Sequence, residues 1–362
     1  MFDRNNLVTF QEIKNHKKIV LWGNGTYTKE LIDMLGKEKI VAIFDNDKHK
    51  WGNEIYGINV LNPGEYFKDI MDDETIIVIS VVSYNYEIAN QIISQWKISE
   101  SRIFAVTHLF GERYMYDVQS IFDNENKISE VHSLLEDEQS REYFVNFLNA
   151  RISRNPLYLK ENDCMKANYE YISQNDYSIV PKRKDLILDC GAYTGDTSKI
   201  FLEKTNQDCR IFAIEPFKGN YRKLCEWIER ENLKDKVYPI QSLLGYANDE
   251  VVISASTESS VSSSVENCGK ICNKILVEKL DELIFEKVSF IKMDIEGAEL
   301  DALKGAAQII KRDKPQMVIS AYHRTCHMWE IPLLIKEIEP SYKIFCGHQM
   351  NAAFESEYYL TI

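Results

Sequence analysis

Two glycines and two acids lie close together in the stretch Asp189-Cys-Gly-Ala-Tyr-Thr-Gly-Asp196. The apolar residues 186–188 precede it and a helical pattern through Phe201 and Leu202 follows, so the sequence predicts a strand, a tight loop and a helix. Glycines in such a loop let the backbone approach a ligand, and the helix start offers unpaired N–H donors. These residues therefore predict a site for a cofactor that carries adenosine.

The spacing of the loop argues against a dinucleotide as this cofactor. The glycines are spaced Gly-x-x-x-Gly and do not form the Gly-x-Gly-x-x-Gly pattern. The preceding strand ends in Asp189, whose charge would repel a pyrophosphate but would suit a cationic ligand. We therefore expect an adenosine cofactor with a positive charge.

Acids also follow two further predicted strands. A second strand is predicted over residues 210–214 and ends at Glu215, where a carboxylate can accept hydrogen bonds from ribose hydroxyls. A third is predicted over residues 289–293 and is followed by Asp294, Glu296 and Glu299. We expect the ends of these strands to direct their carboxylates toward one crevice.

A set of motifs along the second half of the chain resembles the FkbM family of S-adenosylmethionine-dependent methyltransferases, from about residue 130 to the C-terminus. In chain order the motifs are the glycine loop, Glu215-Pro-Phe, Lys279-Leu-Asp-Glu-Leu283, Ile291-Lys-Met-Asp-Ile-Glu-Gly-Ala-Glu299, Leu303-Lys-Gly-Ala306 and Tyr322-His-Arg324. The string from Lys292 to Glu299 is the specific part, because glycine loops of this kind occur in many class I methyltransferases.

The resemblance implies a class I methyltransferase domain over residues 181–362, an α/β fold with a seven-stranded mixed sheet. It implies that the last strand, which follows the preceding one without a helix, is an antiparallel edge strand. It also implies that residues 169–171 lie near the cofactor and that the serine-rich segment 254–264 lies beside the site. The residues expected to bind S-adenosylmethionine are Asp189, Gly191, Ala192, Tyr193, Gly195, Asp196, Glu215, Phe217 and Gln241.

Three residues are candidates for the catalytic base. Methyl transfer is an in-line displacement that requires close positioning, and a base adds roughly 10²–10⁴-fold when the nucleophile is a neutral hydroxyl. His323, predicted at the end of the fifth strand, is the first candidate, and Asp294 and Glu296 are the others. In the alternatives, His323 is a core histidine, or Asp294 ligates Mg²⁺ with Glu296 or His323. Spacing alone assigns no metal ligand.

The first 110 residues predict a second, Rossmann-like parallel sheet. The apolar run 18–22 leads into Gly23-Asn-Gly25, and the run 40–44 ends at Asp45. Two more strands are predicted at 75–80 and 102–106. The domain resembles the one that precedes the catalytic part of sugar O-acyltransferases, which implies that Gly23, Gly25 and Asp45 contact a nucleotide sugar. The alternative is a degenerate domain kept for packing or for a homodimer.

Length and composition fit two such domains. The chain has 362 residues, which exceeds one ordinary core, and residues 111–180 carry amphipathic helical patterns that predict a connector or cap between the domains. The formal charge of −13 argues against a nucleic-acid partner. No apolar run is long enough to span a membrane and the first residues do not open a signal peptide, so we expect a cytoplasmic protein.

The combined expectation is O-methylation of a sugar, nucleotide sugar or glycan in bacterial surface polysaccharide biosynthesis. A small-molecule natural product is the alternative acceptor. An NAD-dependent nucleotide-sugar enzyme and a non-catalytic binding protein are the alternatives from other functional classes.

Overall fold

The computed structural model of the chain describes residues 7–25, 27–81, 84–105, 118–159, 177–254, 272–349 and 356–362, with the backbone alone for 251–254 and 272–274. The predictions for residues 169–171 and for the serine-rich segment fall on residues outside these ranges, apart from the backbone of Ser254. The chain divides into two compact units. The first contains residues 1–123, 142–162 and 348–355, and the second contains 124–141, 163–347 and 356–362.

The first unit contains a six-stranded sheet. Its strands are β1 Lys18–Trp22, β2 Ile40–Phe44, β3 Glu54–Ile55, β4 Ile58–Leu61, β5 Thr75–Ile79 and β6 Ile103–Ala105. They are ordered β3-β4-β2-β1-β5-β6, and all neighbours are parallel except β3 and β4. The predicted parallel sheet is confirmed, but the hairpin of β3 and β4 was missed because β3 has only two residues.

Four helices of the first unit connect or flank these strands: α1 Phe10–Asn15, α2 Thr28–Leu35, α3 Pro63–Ile70 and α4 Asn85–Trp96. Helix α1 begins with a capping box formed by Thr9 and Glu12. The apolar side chains of β1 and β5 are buried on both faces of the sheet, as expected for parallel strands between helices.

The second unit contains the predicted seven-stranded mixed sheet. Its strands are β7 Leu186–Cys190, β8 Arg210–Ile214, β9 Val237–Ile240, β13 Phe290–Met293, β14 Gln316–Ser320, β15 Lys343–His348 and β16 Ser356–Thr361. The order is β15-β16-β14-β13-β7-β8-β9, with β13, β14, β7, β8 and β9 joined by parallel pairing. The carboxyl ends of these five strands therefore share one edge of the sheet.

The expected position of the last strand was wrong. Strand β16 is antiparallel, as predicted, and pairs with β14, but it lies between β14 and β15, so that β15 and β9 are the edge strands. The physical reason is visible in β16 itself, where Tyr358, Tyr359 and Leu360 have no exposed surface. A strand covered on both faces belongs inside a sheet.

A three-stranded sheet of the order β10-β12-β11 was not predicted. Its strands are β10 Leu243–Leu244, β11 Asp249–Ser254 and β12 Cys272–Glu278. The other helices are α5 Val118–Asp123, α6 Glu125–Leu134, α7 Glu138–Ser153, α8 Asp196–Lys204, α9 Lys218–Arg230, α10 Leu280–Leu283, α11 Glu299–Lys304, α12 Ala307–Asp313 and α13 His327–Ile338.

Helices α6 and α7 lie where helices were predicted around residues 129–152. Helix α7 ends two residues before Asn155-Pro156, where the pattern breaks. None of the helices in the described ranges has the length and apolar character needed to cross a membrane.

Candidate functional site

The glycine loop leaves the carboxyl end of β7 and reaches α8 at Asp196. Gly191 has a φ of 80°, and a Cβ on it would lie 1.8 Å from the carbonyl oxygen of Asp294. Gly195 has a φ of 95°, and its Cβ would lie 2.5 Å from a ring carbon of Trp227. Both positions therefore require glycine for backbone conformation and for space. The loop is held between the end of β13 and helix α9.

Asp189 lies beneath this loop and is completely buried. Its Oδ2 accepts hydrogen bonds from the hydroxyls of Thr197 (2.7 Å) and Ser198 (2.6 Å), and its Oδ1 lies 3.4 Å from the Nζ of Lys292. The same Nζ donates to the carbonyl of Gly191 at 2.7 Å. The positive charge beside Asp189 therefore comes from Lys292 and not from a ligand. Because the Asp189 side chain has no exposed surface, it cannot contact a ligand directly.

Glu215 ties the loop to the end of β8. Its Oε2 accepts from the backbone N–H of Tyr193 at 3.0 Å, and its Oε1 accepts from the N–H of Phe217 at 3.0 Å and from the side chain of Asn220 at 3.3 Å. Burial raises the pKa of Glu215 to about 6, and these hydrogen bonds oppose the shift. The carboxylate is 4% exposed but lies at the strand end where a ribose was predicted.

The other predicted cofactor residues surround these two acids. Ala192 is buried, whereas the side chain of Tyr193 is 39% exposed. Asp196 is half-buried at the start of α8, and burial raises its pKa against the opposing effect of Lys292. Gln241 follows β9, is exposed and donates to the carbonyl of Pro216 at 3.4 Å. The structure therefore brings the predicted set together around the carboxyl ends of β7, β8 and β9.

The three predicted catalytic residues also meet, at the carboxyl ends of β13 and β14. The Nε2 of His323 lies 3.4 Å from Oδ1 of Asp294 and 3.6 Å from Oε2 of Glu296. The imidazole is nearly buried, but the two carboxylate side chains are 21% and 32% exposed. The backbone N–H of Asp294 donates to the carbonyl of Cys190 at 3.1 Å, so this cluster adjoins the glycine loop.

A fourth acid, Glu299, lies on the other side of the imidazole. It is completely buried, with Oε1 at 2.9 Å from Nδ1 of His323 and Oε2 at 3.3 Å from Nδ1 of His327. Burial alone would lower the pKa of His323, but Glu299 and then Asp294 raise it above the ordinary value. Burial lowers the pKa of His327 to about 4, so this second imidazole is neutral at neutral pH.

Lys292 was not predicted as a site residue, and Glu299 was predicted only as a carboxylate near the crevice, without a histidine partner. Both belong to the most specific motif, and each carries a signal in the pattern. Lys292 places a charge within the buried strand β13, and Glu299 is a charged residue at the start of a helix with buried neighbours. A charge inside a buried element requires a partner, and such partners are often functional residues.

The glycine loop of the first unit is closed by its own hydrogen bonds. The N–H of Gly23 donates to the carbonyl of Phe44, that of Asn24 to Oδ2 of Asp45, and that of Gly25 to the hydroxyl of Thr28, at 2.7, 2.7 and 2.9 Å. In the part of this loop that the structure describes, these three amides therefore already donate hydrogen bonds within the unit. A phosphate would have to displace one of these bonds or bind elsewhere.

Two family models match the chain. Residues 189–341 match the methyltransferase FkbM domain, and residues 15–104 match the domain described as C2185-like, N-terminal. No curated protein sequence matches the chain significantly.

One solved structure has a similar architecture over nearly the whole chain. It is the methyltransferase FkbM from Methylobacillus flagellatus KT, which is 21% identical, with a TM-score of 0.74 over 96% of this chain and 90% of that one. At this identity the likeness establishes a shared fold and leaves the activity open.

Two further structures resemble this chain only over about half of its length. An O-methyltransferase from Bacillus cereus in complex with SAH is 14% identical, with a TM-score of 0.34 over 49% of this chain and 74% of that one. Fibrillarin from Aeropyrum pernix with bound S-adenosyl-L-methionine is 14% identical, with a TM-score of 0.32 over 50% and 67%. Both scores are too low to establish a common fold.

Proposed function

Because residues 189–341 form an FkbM methyltransferase domain, we propose that the chain transfers the methyl group of S-adenosylmethionine to a hydroxyl group of a sugar or a sugar-linked acceptor. The match of these residues to a methyltransferase domain supports methyl transfer. The cofactor contacts, the oxygen nucleophile and the acceptor class are proposals supported by the residues of this chain.

The observation that carries the proposal is the hydrogen bonding of Glu215 to the glycine loop. One carboxylate oxygen holds the N–H of Tyr193 in the loop and the other holds the N–H of Phe217 at the start of α9. Oε1 also accepts from the side chain of Asn220, whereas Oε2 accepts from Tyr193 alone and keeps a second lone pair, which can accept a ribose hydroxyl. The Lys292 ammonium neutralises Asp189. Glu215 is therefore the acid next to the glycine loop that we assign to the cofactor.

The acceptor hydroxyl would lose its proton to a carboxylate at the end of β13. Asp294 and Glu296 present partly exposed oxygens, whereas His323 is nearly buried and tends to keep its proton beside Glu299. We therefore assign proton acceptance to Asp294 or Glu296, and we assign His323 to orienting them. Positioning of the hydroxyl in line with the methyl group supplies the larger part of the rate.

The acceptor class is proposed from the first unit of the chain. Its resemblance to a nucleotide-sugar module supports a sugar-linked substrate, which fusion to the methyltransferase would hold at a high effective concentration. Since the described amides of its glycine loop are bonded within the unit, we propose that recognition uses side chains at the ends of β1 and β2.

The test is a mass-shift screen of the full chain with S-adenosylmethionine. Nucleotide sugars, glycan fragments and hydroxylated small molecules without sugar are offered as separate pools. We expect the mass of one methyl group to be added to a member of the sugar pools, and expect the signal to be lost without the cofactor. Methylation confined to the molecules without sugar would overturn the acceptor class, and the absence of any methylated product would overturn the activity.

A further inference from the structure

The carboxylate of Glu299 contacts both the backbone and the imidazole of the proposed catalytic cluster. Its Oε1 accepts the backbone N–H of Ile295 at 3.0 Å, and the same oxygen lies 2.9 Å from Nδ1 of His323. In the chain, Ile295 lies between Asp294 and Glu296, the two acids proposed to accept the proton. One buried oxygen is therefore in contact with the turn that carries both acids and with the ring that faces their side chains.

The turn after β13 has a backbone conformation that needs support from its surroundings. Glu296 has a φ of 56° and Gly297 a φ of 100°, both in the left-handed region. This region is unfavourable for a residue with a Cβ, and such a conformation persists where the surrounding contacts determine it. The bond from the Ile295 N–H to Glu299 is such a contact, because it fixes the residue immediately before Glu296.

The contacts of the His323 ring indicate where its protons lie. Nδ1 is 2.9 Å from a carboxylate oxygen, so it carries a proton, because two acceptors would repel each other at this distance. Nε2 lies 3.4 Å from Oδ1 of Asp294 and 3.6 Å from Oε2 of Glu296. A neutral ring would direct a lone pair toward these two carboxylates, whereas an imidazolium directs an N–H toward them. The geometry therefore favours a protonated ring between Glu299 on one side and the two acids on the other.

Glu299 is the counter-charge that keeps the second proton on this ring. Both side chains are almost completely buried, and burial alone would lower the pKa of His323 and raise the pKa of Glu299. The attraction within the pair overcomes burial, so the pKa of His323 is raised and the pKa of Glu299 is lowered. His327 lies 3.3 Å from the other carboxylate oxygen through its Nδ1, and as a neutral ring it can donate a proton there.

Several other charged and titratable groups in the described part of the chain surround the ring. They come from the turn after β13, from α11, from the segment after β14 and from the start of α13: Asp294, Glu296, Glu299, Tyr322, Arg324 and His327. The oxygen of Glu299 approaches the ring more closely than those of the other two acids. Removal of the Glu299 charge should therefore change the protonation of the ring most.

We propose that Glu299 is a positioning residue for methyl transfer, which acts on Asp294 and Glu296 through the imidazolium of His323 and through the backbone N–H of Ile295. The proposal rests on the proposed function, which assigns proton acceptance to one of these two acids. The imidazolium attracts both carboxylates from distances too long for strong hydrogen bonds. It therefore orients these partly exposed groups and leaves them able to accept the proton of a hydroxyl.

Steady-state methyl transfer by Glu299→Gln, His323→Gln and the double variant tests this role. Glu299→Gln should lower turnover by on the order of 10²-fold, the cost of misplacing a reacting group by about 1 Å. The affinity for S-adenosylhomocysteine should stay nearly unchanged. The double variant should lose at most about twofold more than Glu299→Gln, because both substitutions remove the same interaction. Glu330→Gln, which removes an acid of α13 that pairs with Lys127, is the matched control and should keep the native turnover.

Nuclear magnetic resonance of the full chain with ¹⁵N-labelled histidine tests the protonation of the ring without cofactor or acceptor. The signals that are absent from His323→Gln belong to His323. At neutral pH we expect the nitrogen shifts of an imidazolium in the native chain and those of a neutral ring in Glu299→Gln. A neutral His323 in the native chain would overturn the proposal, and so would an imidazolium that persists in Glu299→Gln.

Circular dichroism and the affinity for S-adenosylhomocysteine would show that each variant is folded. If Glu299→Gln does not fold, Glu299→Asp replaces it in the kinetic experiment. Its shorter side chain cannot reach the Ile295 N–H and the imidazole together, so turnover should fall as well. Native turnover in the folded variant, or additive losses in the double variant, would contradict the proposal. Absence of methylated product from the native chain would instead overturn the proposed function, and the resonance experiment would still decide whether Glu299 holds the ring protonated.

Discussion

Replacement of Glu215 by alanine tests the proposed cofactor site most directly. The substitution removes an acceptor for ribose hydroxyls and also releases the N–H groups of Tyr193 and Phe217. Hydrogen bonds to a charged acceptor contribute about 1.5–3 kcal/mol. The affinity for S-adenosylhomocysteine should therefore fall by about 10–150-fold. Glu226→Ala, which removes an acid that is 64% exposed on α9, should leave the affinity unchanged.

The raised pKa of Glu215 adds a pH dependence with a defined sign. Burial raises this pKa from 4.5 to about 6, so the folded chain binds more protons than the unfolded chain between these values. The free energy of unfolding should therefore decrease as the pH rises from 4.5 to 6, by up to about 2 kcal/mol. Cofactor affinity should change in the opposite direction, because the ionised carboxylate is the better acceptor for ribose hydroxyls. It should fall by at most about tenfold for each pH unit below 6.

Calorimetry with S-adenosylhomocysteine between pH 5 and pH 7 (roughly a unit to either side of the titration) would measure this dependence. The variant Glu215→Gln keeps the shape of the side chain and cannot titrate, so its affinity should be lower and should lack the step near pH 6. Urea unfolding of both proteins would measure the stability part. An affinity that is unchanged in folded Glu215→Ala would refute the assignment of Glu215 to the cofactor site.

Two other substitutions test Lys292 within β13 and Glu296 in the turn after it. Lys292→Met leaves Asp189 buried without its cation and should lower the free energy of unfolding by about 3–5 kcal/mol in urea, and adding Asp189→Asn should restore a large part of this loss. Equal stability of the single and double variants would contradict the ion pair. Glu296→Gly places glycine at a left-handed position, so it should stabilise the chain by about 1 kcal/mol while methyl transfer falls. Full methyl transfer by that variant would exclude Glu296 from the reaction.

The strands could be predicted from the sequence because each is a short apolar run that ends in a polar residue. Strands β1 and β2 have the predicted bounds, and the acids after β8 and β13 lie at the predicted strand ends. The order of strands is a long-range property that local patterns do not contain. For this reason β16 was placed at the edge of the sheet, although its run of buried Tyr358, Tyr359 and Leu360 is typical of an inner strand.

The candidate site could be located from the sequence more readily than the partners of its charges. The pattern placed Asp189 at a strand end, but the pairing of β7 with β13 sets Lys292 directly beside it. That register depends on two segments about a hundred residues apart. The pairing of Glu299 with two histidines was not predicted for a similar reason. Its histidine partners follow β14, and only the parallel pairing of β13 with β14 brings them together.

Alanine substitution of the two glycines of the loop would separate effects on the proposed cofactor site from effects on the proposed catalytic acids. A Cβ at Gly191 would collide with the backbone of Asp294, whereas a Cβ at Gly195 would collide with Trp227 on α9. Gly191→Ala should therefore weaken S-adenosylhomocysteine binding and also lower turnover at saturating cofactor, because the catalytic cluster moves with Asp294.

Gly195→Ala should weaken cofactor binding but keep most of the turnover at saturating cofactor. Steady-state kinetics of both variants, with stability measured in parallel, would separate these effects. If Gly191→Ala lost only cofactor affinity, the loop would not position the acids at the end of β13. The contact between the carbonyl of Asp294 and Gly191 would then serve packing alone.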